Sequence, residues 1–165
     1  MIDFPQGNFT LTEVFKINDS WIDVQGAWLE YGDNVVRALE RIERARYNLS
    51  ASCGQIVAIR VARWLVSTEY NEVLYDRLDL PQPTNPSQHE YGHAIDFSAF
   101  RFDTWQLVPH YTVARHAEAA GFRRVAVIKN KIGHPIGVHA DLKDGPQVAS
   151  GYAAVYPGAQ QEEWY

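Results

Sequence analysis

The sequence predicts an α+β fold in which a small antiparallel sheet carries helices packed on one face. One long stretch, residues 33 to 49, has apolar residues at helical spacing, and several short runs elsewhere are rich in β-branched residues. The last two of these runs are joined by only residues 129 to 135, which favours an antiparallel pair. With 165 residues and 46% hydrophobic content, the chain is expected to form a single domain over residues 1–165 around one core.

Residues 1–32 are interpreted as an N-terminal lead-in segment and a flap. Thr10 and Glu13 have the spacing of a capping box, which predicts a short helix from Thr10 to Lys16. The aromatic residues after it are expected to pack as a flap over the core: Trp21, Trp28 and Tyr31.

The main helix is expected to begin at Asp33 or Asn34 and to end near Leu49, because its apolar residues recur every three or four positions. Residues 55 to 61 then form a buried strand by their β-branched content. A short helix over residues 69 to 78 is ended by a proline-containing loop, and a second strand is expected at 93 to 98.

In the C-terminal part, an amphipathic helix is expected to start near Thr104 or, because proline suits a first helical position, at Pro109. It should run to Ala120, with Gly121 as its cap and with His110 and His116 on an exposed or half-exposed face. Strands at 122 to 128 and 136 to 142 follow. Residues 146–165 are expected to add an edge strand, at 152 to 156, and a polar tail.

Composition and charge exclude several classes of function. The net charge of -5 argues against nucleic acid as a partner, since binding to nucleic acid needs clustered cations. The single cysteine, Cys53, allows no internal disulfide. The N-terminus has no basic start followed by an apolar core, so no signal peptide is expected, and no run is long enough for membrane insertion.

His89 and Asp96 lie seven residues apart, on a predicted loop and on the strand that follows it. The best third candidate is His139, which shares a strand face with Asp141. Two imidazoles and one carboxylate are the ligand set of a catalytic zinc site with one open position. The same set also fits a non-haem iron centre.

The residues around His89 resemble a known family. The pattern S-x-H-x-x-G-x-A-x-D is met at each fixed position by Ser87, His89, Gly92, Ala94 and Asp96, and the later pattern of an apolar residue followed by H-x-D is met at residues 138 to 141. The chain is therefore similar to the zinc D-alanyl-D-alanine metallopeptidases, a family that includes the L-alanyl-D-glutamate endopeptidases of phage endolysins and shares its fold with the hedgehog signalling domain.

The resemblance implies a hedgehog-like or DD-peptidase-like fold and a zinc ion held by His89, Asp96 and His139. It implies hydrolysis of a peptide bond next to a D-amino acid in peptidoglycan stem peptides, of the D,D-carboxypeptidase or the L-alanyl-D-glutamate endopeptidase type. Ser87 would orient the loop or a ligand through a hydrogen bond. Without a signal peptide, a cell-wall enzyme would suit a phage protein, in the host cytoplasm before lysis or on the virion.

The chain departs from the family pattern at two positions. Val66 stands where relatives carry an arginine that holds the substrate carboxylate. Arg63 or Arg60 is the candidate replacement, and the alternative is that both are structural or surface arginines. The position three before His139, where many relatives carry an acid that moves protons, is Ile136.

Asp141 is the candidate acid or base, although it could instead orient His139. His134 and Glu90 are further candidates for proton transfer.

Two functions remain open on these residues. The first is an active zinc peptidase that uses Asp141 in catalysis and Ser87 and Arg63 in substrate binding. The second is a zinc-binding structural or binding module of a phage particle, with other phage structural proteins as partners, in which Val66 and Ile136 mark lost catalysis.

Overall fold

A computed structural model of the chain describes residues 7–15, 20–77, 87–129 and 133–143. Within these residues the elements follow in the order α1 (Leu11–Val14), α2 (Val24–Cys53), β1 (Val57–Arg63), α3 (Thr68–Arg77), β2 (Ala94–Arg101), α4 (His110–Ala119), β3 (Arg124–Lys129) and β4 (Pro135–Asp141). The predicted α+β class is confirmed.

The four strands form one sheet in the order β1-β2-β4-β3, and every neighbouring pair is antiparallel. The predicted pairing of the last two strands is confirmed, with Ala126 of β3 opposite His139 of β4. In the middle of the sheet, Asp96 of β2 lies opposite His139. The chain's two central strands therefore bring two of the predicted ligands side by side.

The two faces of the sheet have different roles because side chains alternate along each strand. One face carries the apolar residues of the core, and α2 and α4 pack on it and on each other. Its residues on the two central strands are Ile95, Phe97, Ala99, Val138 and Ala140. The other face carries Asp96, His139 and Asp141. The core between the sheet and helices α2 and α4 thus lies on the opposite face from Asp96, His139 and Asp141.

Helix α2 is longer than predicted at both ends. It begins after Asp23, whose side chain accepts a hydrogen bond from the Gln25 backbone N–H, and it ends at Gly54 in a left-handed conformation. The predicted start at Asp33 or Asn34 was wrong, because the helix already includes Ala27, Trp28 and Tyr31, which pack on the core at helical spacing. Trp28 and Tyr31, predicted to lie in a flap, belong to this helix.

Helices α1 and α4 begin where their capping signals predict. Thr10 and Glu13 form the predicted capping box, although α1 ends at Val14 rather than Lys16. Helix α4 begins directly after Pro109, which confirms the later of the two predicted starts. His110 is buried, contrary to the expectation of an exposed or half-exposed face, because its ring lies against Ser98 of β2.

The remaining boundaries differ from the predictions by a few residues. Strand β1 runs over residues 57 to 63 rather than 55 to 61, and β2 continues to residue 101 instead of ending at 98. The proline loop, the predicted edge strand at 152 to 156 and the tail lie outside the described residues. No helix in the described part of the chain has the length and apolarity needed to cross a bilayer.

Candidate metal centre

The side chains of His89, Asp96 and His139 meet on the polar face of the sheet. One potential ligand atom from each lies within 4.8 Å of the other two, and all three side chains are buried. Asp96 and His139 are cross-strand neighbours, and His89 lies in the turn that leads into β2. The structure therefore brings together the three residues that the sequence predicted as metal ligands.

The turn that carries His89 is closed by backbone hydrogen bonds. The Glu90 N–H donates to the Ser87 carbonyl at 2.9 Å, and the Gly92 N–H donates to the His89 carbonyl at 3.2 Å. Gly92 has φ +69, and a Cβ there would lie 2.8 Å from Cγ2 of the core residue Val35. Glycine is required at this position, because the turn combines a left-handed conformation with a close approach to α2.

The His89 ring presents a lone pair to the cluster. Its Nδ1 lies 2.9 Å from the Trp64 carbonyl oxygen, which can only accept, so Nδ1 carries the proton. Its Nε2 lies 2.9 Å from Oδ2 of Asp96 yet makes no hydrogen bond, although it is fully buried. A buried nitrogen and a carboxylate oxygen that lie this close with no hydrogen bond between them fit a shared cation. The cluster is a candidate metal centre.

The charge state of His89 suits a ligand. Burial, followed by the nearby Arg63 guanidinium, lowers the pKa of His89 to about 4. The ring is therefore neutral at pH 7, as a metal ligand must be.

His139 lies between two carboxylates. Its Nδ1 is 2.7 Å from Oδ1 of Asp96, and its Nε2 is 3.0 Å from Oδ2 of Asp141. Burial alone would lower the pKa of His139, but the charge of Asp96 and the hydrogen bonds to both carboxylates raise it above its usual value. Each ring nitrogen thus faces a carboxylate oxygen, and a metal ion at the cluster would take the place of a proton on Nδ1.

Asp96 and Asp141 are held as carboxylates. Burial tends to raise the pKa of Asp96, but His89, Arg63 and His139 together hold it well below its usual range. Asp141 accepts hydrogen bonds from Nε of Arg124 at 2.7 Å, from Nη2 of the same arginine, and from Nε2 of His139. Although burial opposes it, these contacts lower the pKa of Asp141.

Arg63 lies against a predicted ligand. Its Nε donates to Oδ2 of Asp96 at 2.8 Å, and its side chain is largely buried. The ladder of β1 with β2 shifts register between Val61 and Arg63, so Arg60 and Arg63 pair with Ser98 and Asp96. Residues three apart on a regular strand would point to opposite faces, and this bulge brings Arg63 to the polar one.

The other residues singled out from the sequence lie around the His89 turn. The Ser87 hydroxyl accepts from the His89 N–H at 3.3 Å. Val66 is buried, and its N–H donates to the His89 carbonyl at 3.4 Å. The Glu90 carboxylate accepts from the Thr68 hydroxyl at 2.7 Å, from the Asn71 amide at 2.8 Å and from the Ser87 N–H at 3.0 Å, which holds it in the turn's framework.

Sequence reasoning missed two residues that support the site, Trp64 and Arg124. Trp64 contributes through its backbone carbonyl, which no side-chain pattern can reveal. Arg124 faces Asp141 across the β3 and β4 ladder, in a register that is shifted between Ile128 and Lys129 and that the predicted hairpin does not reveal.

Comparison with known proteins finds no family model that matches the chain and no curated protein that matches it. Among solved structures, a crystal structure of the Serratia marcescens L-Ala D-Glu endopeptidase ChiX is similar to this chain, with 21% identity over 69% of this chain and 86% of that one, and a TM-score of 0.40. A similarity of this size carries no functional assignment.

Proposed function

We propose that the chain is a zinc-dependent peptidase that acts on peptidoglycan stem peptides, at a bond next to a D-amino acid. The observation that carries the proposal is the His89, Asp96 and His139 cluster, in which the His89 Nε2 lone pair and an Asp96 oxygen face one point without bonding. The resemblance of residues 87 to 96 and 138 to 141 to the metallopeptidase patterns supports the choice of substrate.

The three ligands would leave one position of a tetrahedral zinc ion open. A zinc ion there would act as a Lewis acid toward a peptide carbonyl and would lower the pKa of a bound water. The Trp64 carbonyl fixes the tautomer of His89, and Asp141 fixes the orientation of His139.

Arg63 and Ser87 are the proposed substrate-binding residues. The Arg63 guanidinium lies at the edge of the cluster, against Asp96. Val66, which takes the place of the family's arginine, is a buried hydrocarbon and offers no such group. We propose that Arg63 attracts an oxygen of the substrate while it holds Asp96, and that Ser87 acts by keeping the His89 turn in place.

For Asp141 we propose the orienting role. Its Oδ2 atom accepts hydrogen bonds from both His139 and Arg124. The bond from His139 comes from Nε2, whereas the other ring nitrogen, Nδ1, faces Asp96. The other role, in which Asp141 moves the proton between water and leaving amine, stays a prediction.

The proposal is tested with zinc-loaded protein and a panel of purified muropeptides of different wall types. We expect new amine termini from at least one of them, and no cleavage by the His139→Ala variant. The position of the new terminus decides between a D,D-carboxypeptidase and an L-alanyl-D-glutamate endopeptidase. The absence of any new terminus across the panel, with zinc bound, would contradict a peptidase.

A metal-binding module without catalysis is the second candidate. It is favoured by Ile136, which cannot move a proton, and by the hydrogen bonds that engage the Glu90 and Asp141 carboxylates in the structure. This candidate predicts that zinc binds and stabilises the fold while muropeptides remain intact. A phage particle as its setting stays a prediction.

A further inference from the structure

A cleft of about 430 Å³ is lined in part by residues that neighbour the candidate ligand His89 in the chain. One wall is formed by residues 21 to 23 and the first turns of α2, and the other by residues 65 to 69 and by Glu90 and Tyr91. Glu90 and Tyr91 follow His89 directly in the chain, and Val66 is bonded to the His89 carbonyl. The cleft and the metal ligands thus share the same turn, so an extended peptide at the metal could run into the cleft.

The walls of the cleft carry negative charge. Its acidic lining residues are Asp23, which also caps α2, Glu30, which is hydrogen-bonded to Tyr31, Glu69, and Glu90, which is held in the His89 turn. None of the described residues that line it is Lys, Arg or His. A cationic group would therefore be attracted there, and a carboxylate would be repelled.

Aromatic rings complete the lining. Trp21, Tyr31 and Tyr91 all border the cleft, and the rings of Tyr31 and Tyr91 meet edge to face with centroids 5.8 Å apart. Aromatic faces combined with carboxylates are the usual surroundings of a bound ammonium group. A hydrogen bond to Glu30, followed by burial, raises the pKa of Tyr31 to about 12, in keeping with a negative field at this wall.

We infer that this cleft binds the free side-chain amine of a diamino acid residue in the substrate peptide, and that Glu30 and Glu69 select it. The inference rests on the proposed peptidase function for its substrate and deepens it. Glu30 stands on α2 and Glu69 on the first turn of α3, so the amine would be approached from two elements. The substrate class is a stem peptide whose diamino residue is not capped or cross-linked.

The test uses a matched pair of peptides, L-Ala-γ-D-Glu-L-Lys-D-Ala and the same peptide with the lysine amine acetylated. With zinc-loaded full chain we expect the acetylated peptide to have a KM about tenfold higher, with little change in kcat. Glu30→Gln and Glu69→Gln should each remove part of that discrimination. Glu40→Gln, an exposed glutamate on the same helix outside the cleft, is the matched control and should keep it.

Equilibrium binding of both peptides to the metal-free chain separates this inference from the proposed activity. Tighter binding of the free amine, weakened by Glu30→Gln, supports the inference even if neither peptide is cleaved, in which case only the peptidase proposal fails. Equal binding of the two peptides, or equal kcat/KM for them in the wild-type protein, would overturn the inference.

Discussion

Asp141 determines how firmly His139 is held, since it bonds to the ring nitrogen opposite the one that faces Asp96. Replacing it by asparagine keeps the size but removes the charge. In the orienting role, Asp141→Asn should weaken zinc affinity about 10- to 100-fold in a competition titration with a chelating dye. The exposed Asp103→Asn is the control. Unchanged affinity together with lost turnover would instead assign proton transfer to Asp141.

His110 makes stability depend on pH. Burial lowers the pKa of His110 below its usual value, so its contribution to the free energy of unfolding is complete above about pH 6.5 and is lost as the pH falls toward the folded pKa. Denaturant unfolding at about pH 7.5 and about pH 5.5 should show a smaller pH-dependent loss for His110→Gln than for the wild type. Burial also lowers the pKa of His116, which is less buried on the same helix, so His116→Gln should reduce the loss by a smaller amount. An identical loss in wild type and His110→Gln would contradict this account.

At the residue scale, the sequence predicted the three residues of the candidate metal centre but only part of what holds them, namely the contact of Asp141 with His139. His89, Asp96 and His139 were found because their spacing and chemistry form a recognisable pattern. Arg63 was expected to bind substrate, whereas its contact with Asp96 depends on a register shift that no residue pattern announces.

Among the elements, the His89 turn depends on glycine at position 92. Gly92→Ala combines a left-handed conformation with a contact of 2.8 Å to Val35, and should lower the free energy of unfolding by about 3 kcal/mol. Gly54→Ala shares the positive φ but has nothing within 4 Å, so it should cost only about 1 kcal/mol. Chemical denaturation compares the two. Equal losses would show that the approach of the turn to α2 is not a constraint.

Element boundaries were predictable where local chemistry marks them. The capping box at Thr10 and the proline before His110 gave correct helix starts. The first turns of α2 were missed because Trp28 and Tyr31 were interpreted as part of a flap, although with Ala27 they pack on the core at helical spacing.

For the whole molecule, the sheet separates stability from chemistry. The apolar face packs against α2 and α4, while the polar face holds three buried titratable side chains that lie close enough to share one cation. The α+β class followed from composition and strand spacing, whereas this division required the strand order and register. Metal binding should therefore couple to folding without rearranging the core.

Zinc should raise the thermal unfolding midpoint of the chain, because an ion that binds only the folded state stabilises it by about 4 kcal/mol at a thousandfold excess over Kd. Calorimetry of the metal-free protein with and without zinc measures the effect. The His89→Ala variant should lose this gain, and His116→Ala should retain it. A midpoint that does not respond to zinc in the wild type would contradict a folded-state site.

The central claim is that His89, Asp96 and His139 bind one metal ion. Elemental analysis of the purified full chain, after dialysis against zinc, tests it most directly. The account predicts one zinc ion per chain for the wild type and for His116→Ala, and none above background for His139→Ala with its circular dichroism unchanged. A wild-type protein with no more zinc than His139→Ala would contradict it.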